Sequence, residues 1–278
     1  MLKVFNFSAI LLFIVSFTVI AQEFSPPRPS PDATVTQYVG VTEIKIDYSS
    51  PGVKERKIWG ELVPFGKVWR TGANEVTSIT FSDPVKVNGN ELPAGTYGIH
   101  IIPNENEWEI IFSKDTEIDG SSAYDETKDA LKLKVEPEDN PFTERMMFTI
   151  TDMTDNSAKV NLIWEKLKIS FGVEVDTYNL TLQNARNSFD WGSLMAAANY
   201  CLQQNNNIEE GYKWIQASVL IEENYWNSRI LAQYFAKMEM KNEAVRTMEK
   251  AVEMGSQMEQ PPFDFDNMKK MLEEWKSN

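Results

Sequence analysis

The passage KVWRTGANEVTSITF (67–81) gathers several chemically able side chains into one short stretch. Arg70 offers a planar fork of donors, Asn74 carries both a donor and an acceptor, and Glu75 is an acceptor or a base. Gly72 and Ala73 keep the backbone thin between them, and an apolar strand pattern resumes at Ile79. A loop between strands is where ligand-reading groups are commonly held. Two readings follow. Trp69, Arg70, Asn74 and Glu75, flanked by Trp59, form a ligand site; or Arg70 pairs with Glu75 or another acid and Asn74 closes a turn.

His100 is the only histidine. It lies in GTYGIHIIP (95–103), where Tyr97, Ile99 and Ile101 share one face of a strand and Gly98, His100 and Ile102 the other. An imidazole titrating near 6.5 can move protons at neutral pH, so His100 with Glu75 could serve as proton-transfer groups and Arg70 as an anion stabiliser. A hydrogen-bonded core histidine is the plainer reading of the same position. One histidine excludes metal sites that need two, and Asp115, Glu117 and Asp119 lack the calcium-loop pattern. There is no G-x-S-x-G and no Gly-rich phosphate loop, so neither a metal nor a cofactor is expected. The aromatics Trp59, Phe65, Trp69, Trp108, Tyr124 and Trp164 suit sugar stacking, but Trp108 and Trp164 fall within strand patterns and read as core.

The elements that must position these residues are strands. VTEIKIDYS (41–49) alternates apolar and polar residues, Asn88-Gly89 marks a type I′ hairpin, and 95–103, 107–113 and 131–137 follow. Segments 145–153, 157–165 and 166–175 complete about ten short strands, with one helical turn expected at RKIWGELV (56–63). Many strands without interleaved long helices indicate an antiparallel β-sandwich or open barrel over 33–176.

After an expected linker at 177–187, the composition turns to Ala, Leu, Met, Glu, Gln and Lys, the residues of helices. Five helices are predicted near 190–204, 208–222, 227–239, 242–255 and 264–276, within a helical unit over 188–278. Ala198, Leu202, Gly211, Ile215 and Ser218 recur 33 residues later as Leu231, Phe235, Ala244, Met248 and Ala251. That self-similarity resembles two tetratricopeptide-type hairpins with a capping helix, one residue short of the usual period. A plain helical bundle is the alternative. The fold class is therefore α+β in two segregated parts.

Residues 1–21 have a basic start at Lys3, an uncharged apolar run and small residues before the break at Ala21, which is the form of a secretory signal peptide. The run is only just long enough to span a bilayer, so an uncleaved anchor is the competing reading. Residues 22–32 are rich in proline and read as an extended linker. The single cysteine, Cys201, can form no internal disulfide, so packing alone must stabilise an exported chain. A net charge of −14 argues against nucleic acid and anionic membrane surfaces as partners.

GELVPFGKVWRTGANEVTSITF, LPAGTYGIHIIP, EWEIIFSKD and SSAYDETKDALKLKVEP, in that order, closely resemble a secreted bacterial family known as domain of unknown function 2911. The resemblance covers about residues 26–176 and implies a β-rich exported domain but no reaction. The family's WR-x-GAN passage falls on Trp69, Arg70, Gly72, Ala73 and Asn74, and a recurring histidine or aromatic falls on His100. The expectation is an exported, periplasmic or extracellular, non-catalytic binding protein. Its β domain holds a small polar ligand or peptide, and its helices dock a protein partner. The alternative is a cell-envelope hydrolase acting on a glycan or peptide, and a third reading makes the β domain a scaffold for the helices.

Overall fold

The computed structural model describes residues 26–116, 124–188 and 190–277; the expected signal segment lies outside them. Ten antiparallel strands form two sheets among the described residues. The larger sheet runs in the order β1 (Asp32–Val39), β2 (Thr42–Ser49), β3 (Ser78–Phe81), β6 (Gly95–Ile102), β7 (Trp108–Ser113), β8 (Asp129–Val135). The smaller is β5 (Asn90–Leu92), β4 (Val85–Val87), β10 (Ser157–Val175), β9 (Glu138–Thr151).

Alternation decides which residues meet between the sheets. Ile44, Ile46, Ile79, Phe81, Ile99, Ile101, Ile110 and Phe112 point inward from the larger sheet, against Val87, Phe148, Val160, Leu162, Trp164, Phe171 and Val173 from the smaller. Each such side chain contributes about 1.5–3 kcal/mol when fully buried. The intervening residues form the larger sheet's outer face, where the site lies. Asn88 and Gly89 both have positive φ, 46° and 78°, as the type I′ hairpin requires.

Three expectations need correction. Segments 157–165 and 166–175 are one 19-residue strand, β10, whose bend is absorbed at Glu165 by a positive φ and register shifts on both sides. RKIWGELV is not a helical turn; Trp59 and Val63 form a parallel bridge, and Val63 N–H donates to the Ile58 carbonyl. The third is the segment 177–187, expected as a linker. Most of it is helix α1 (Thr177–Arg186), started by the Asp176 carboxylate accepting from the Asn179 N–H. Its Leu182 and Ala185 pack with Leu194, Ala198 and Cys201.

The other five helices, α2 (Trp191–Gln204), α3 (Ile208–Ile221), α4 (Tyr225–Lys237), α5 (Lys241–Ser256) and α6 (Phe265–Ser277), fall where the sequence places them. Their burial keeps the 33-residue spacing: Cys201 and Tyr234, Gly211 and Ala244, Ile215 and Met248, and Ser218 and Ala251 are all buried. A Cβ on Gly211 would collide with the Tyr234 hydroxyl, so the small residue there permits the close helix approach. No helix among the described residues is long and apolar enough to cross a membrane.

Candidate functional site

Backbone pairing places the 69–77 loop beside β6. Trp69 and Ile101 exchange two hydrogen bonds, 2.8 and 2.9 Å, as an isolated antiparallel bridge. Ile99 N–H then donates to the Thr77 carbonyl at 2.7 Å. Residues 70–76 therefore leave and re-enter the sheet edge across a gap of two strand positions. The loop is pinched shut where Thr77 N–H donates to the Arg70 carbonyl, and Thr77 Oγ1 donates to the Thr71 carbonyl at 2.5 Å. Thr71 is held at φ 59°, a region costly for a β-branched residue, which marks the loop as fixed by its surroundings.

The predicted site residues divide into three groups. Trp59 and Trp69 belong to the core. Their rings meet at 5.8 Å, Trp69 stacks on Trp164 at 5.8 Å, and Trp59 lies 4.6 Å from Trp108. Trp69 Nε1 donates to the Gly72 carbonyl, tying the loop to the core. These indoles are packing groups.

Asn74 and Glu75 form the second group. The Asn74 amide donates to the Ser30 carbonyl and Ser49 Oγ, both at 3.1 Å, and its φ of 57° suits asparagine. Both carboxylate oxygens of Glu75 accept from Arg28 at 2.9 Å, and a backbone hydrogen bond first, then the Arg28 bond, hold the Glu75 carboxyl below its ordinary range. Arg145 donates to the carbonyls of Pro29 and Ser50. The described part of the proline-rich segment, expected as an extended linker, is thus strapped onto the sandwich. A cleft of about 370 Å³ beside the strap is lined by Asp32, Asp47 and Glu75 against Arg28, a balance unfavourable to anions.

Arg70 and His100 form the third group. Because Trp69 pairs with Ile101, Arg70 comes alongside His100, and strand alternation turns both away from the core that takes Trp69, Ile99 and Ile101. His100 is completely buried, and neither ring nitrogen has a hydrogen-bond partner among the described residues. Arg70 is half-buried; its Nε is shielded from solvent and unpartnered, and no carboxylate pairs with it among the described residues. Five of the other six arginines bond to carboxylates or carbonyls, and Arg246 stands exposed. A shielded cationic nitrogen without an acceptor is costly unless something occupies it.

Around this pair the outer face carries groups that reading the sequence did not connect to it. The Tyr124 ring packs 5.1 Å from the imidazole, and its hydroxyl donates to Asp129 at 2.5 Å. Lys132 pairs with Asp129 at 3.0 Å, and Lys128 with Asp115 at 2.5 Å. Register sets Ile111 opposite His100 and Lys132 opposite Ile111. Gly98 lies on the same face, where a Cβ would come within 2.6 Å of the Asp115 carbonyl, so glycine lets the chain after β7 cross close over the sheet. Burial pushes the His100 pKa down, opposed by the Asp129 and Asp115 charges, and burial pushes the Tyr124 hydroxyl up. Strict alternation in LKLKVEP signals Lys132 on the outer face; nothing local signals Tyr124.

Among the described residues no group of three or more His, Cys, Asp or Glu is disposed to hold a metal ion. Glu117 and Asp119, of the calcium reading, lie outside the described residues. Residues 30–173 match the model of the family described as Protein of unknown function (DUF2911). No curated protein and no solved structure matches the chain.

Proposed function

Since the chain belongs to the DUF2911 family, whose description names no activity, we propose that it is an exported, non-catalytic binding protein that holds a small polar ligand or peptide at Arg70 and His100. The observation supporting this reading is the Arg70 guanidinium, half-buried and without an acceptor among the described residues, beside a buried imidazole whose two nitrogens are likewise unpartnered among them. Buried polar groups normally find partners, and a ligand supplies them. The hydrolase alternative loses support because its two proton-transfer groups have different neighbours: Glu75 is bonded to Arg28, and His100 lies against Tyr124.

The helical array is the partner-docking part of the proposal. Leu220, Ile221 and Phe263 are exposed apolar side chains, and Phe263 stacks on Trp226. Export rests on the signal-like residues 1–21, and amino-terminal sequencing of protein from the periplasmic fraction is expected to begin at Gln22. Binding is tested by melting residues 22–278 against short peptides and small polar compounds. A compound that raises the melting temperature of the wild type but not of Arg70→Gln supports the site, whereas equal stabilisation of both places the ligand elsewhere.

A further inference from the structure

The chemistry of the ligand can be narrowed, on the reading that Arg70 anchors it. We propose that the Arg70–His100 site takes a monocarboxylate whose adjacent atom carries an N–H or O–H, the chemistry shared by a peptide's C-terminal residue and a small 2-hydroxy acid. Three observations converge on this class.

The first is charge. Lys128 and Lys132 are already paired with Asp115 and Asp129, and among the described residues of this face Arg70 is the half-buried cation without a carboxylate partner. A dianion would place its second charge near the carboxylates of Asp115 and Asp129 with nothing to neutralise it. The second is shape: a guanidinium presents parallel donors that fit a planar carboxylate two at a time. The third is His100. Burial favours its neutral form, which has one N–H and one bare nitrogen, and both are unpartnered. The bare nitrogen accepts from a donor beside the carboxylate, and the N–H donates to a ligand oxygen. Arg70 is half-buried and His100 fully buried, with the Tyr124 ring and Ile111 as apolar neighbours of the imidazole.

The test follows the Arg70 Nε–H resonance of residues 22–278, assigned by its loss in Arg70→Lys, during titration with five probes. These are N-acetylglycine, N-acetylglycinamide, glycolate, acetate and inorganic phosphate. The expected result is that N-acetylglycine or glycolate moves the resonance and binds about tenfold tighter than acetate, the effect of one added hydrogen bond. N-acetylglycinamide should leave it unmoved. Binding of N-acetylglycine alone identifies a peptide terminus, and of glycolate alone a small hydroxy acid; either supports the proposal. Acetate binding as tightly as both overturns the requirement for an adjacent donor. Phosphate moving the resonance while the carboxylates do not overturns the carboxylate class and leaves the ligand site standing. If no probe moves it, both readings fall.

Discussion

Arg70 and Asn74 sit four residues apart on one loop, yet their surroundings are opposite. Asn74 spends its amide on Ser30 and Ser49, and its neighbour Glu75 is bonded to Arg28. Arg70 has a shielded Nε and no partner among the described residues, beside a histidine in the same condition. The bonds of Asn74 and Glu75 tie this end of the loop to the fold, whereas Arg70 leaves a charged nitrogen shielded without one. A motif that reads as one unit thus divides into a bonded half and a half without partners among the described residues.

The comparison can be broken at several points. The largest effect belongs to neither half: Trp69→Ala removes an indole from the four-tryptophan cluster and is expected to cost about 3–5 kcal/mol in urea unfolding, with the loop detached from the core. Asn74→Ala loses two hydrogen bonds and puts alanine at φ 57°, for about 1–3 kcal/mol. Asn74→Gly, free of the φ penalty, should cost less. If Asn74→Ala leaves stability unchanged, the structural half of the division is wrong.

A pH titration sharpens the other half. The folded His100 pKa is lowered by burial, so the unfolded chain binds the proton more readily. Stability should hold above about pH 6.5, the ordinary imidazole value, and fall as pH drops below it toward the folded pKa. Asp129 and Asp115 oppose the shift without reversing it. His100→Phe should abolish that slope without loss of stability at neutral pH, since it removes two unpartnered nitrogens. Retention of the slope would assign it to other groups. Arg28→Ala has the smallest expected effect: its carboxylate partners are exposed, and the wild type and variant should unfold alike at high salt.

Periodicity made most of the fold legible. Alternation exposed the strands, Asn88-Gly89 the hairpin, and the shift to helix-forming residues after 188 the five carboxy-terminal helices. Helix α1 was not legible because TYNLTLQNAR is poor in strong helix formers; tertiary packing of Leu182 and Ala185 overrides that propensity, and the Asp176 cap was the available signal. The candidate site was legible by residue type alone. Arg70 and His100 come together through the Trp69–Ile101 bridge, and Asn74 and Glu75 reach partners 44 and 47 residues earlier, at Ser30 and Arg28. No local pattern encodes such distances.

On this division Arg70, unlike Asn74, does not hold the fold together. Urea unfolding of ligand-free Arg70→Gln tests it most directly. The division predicts a midpoint equal to or above the wild-type value, because a shielded, unpaired charge is removed. A loss comparable to that of Asn74→Ala would contradict it and return Arg70 to the structural half of the loop.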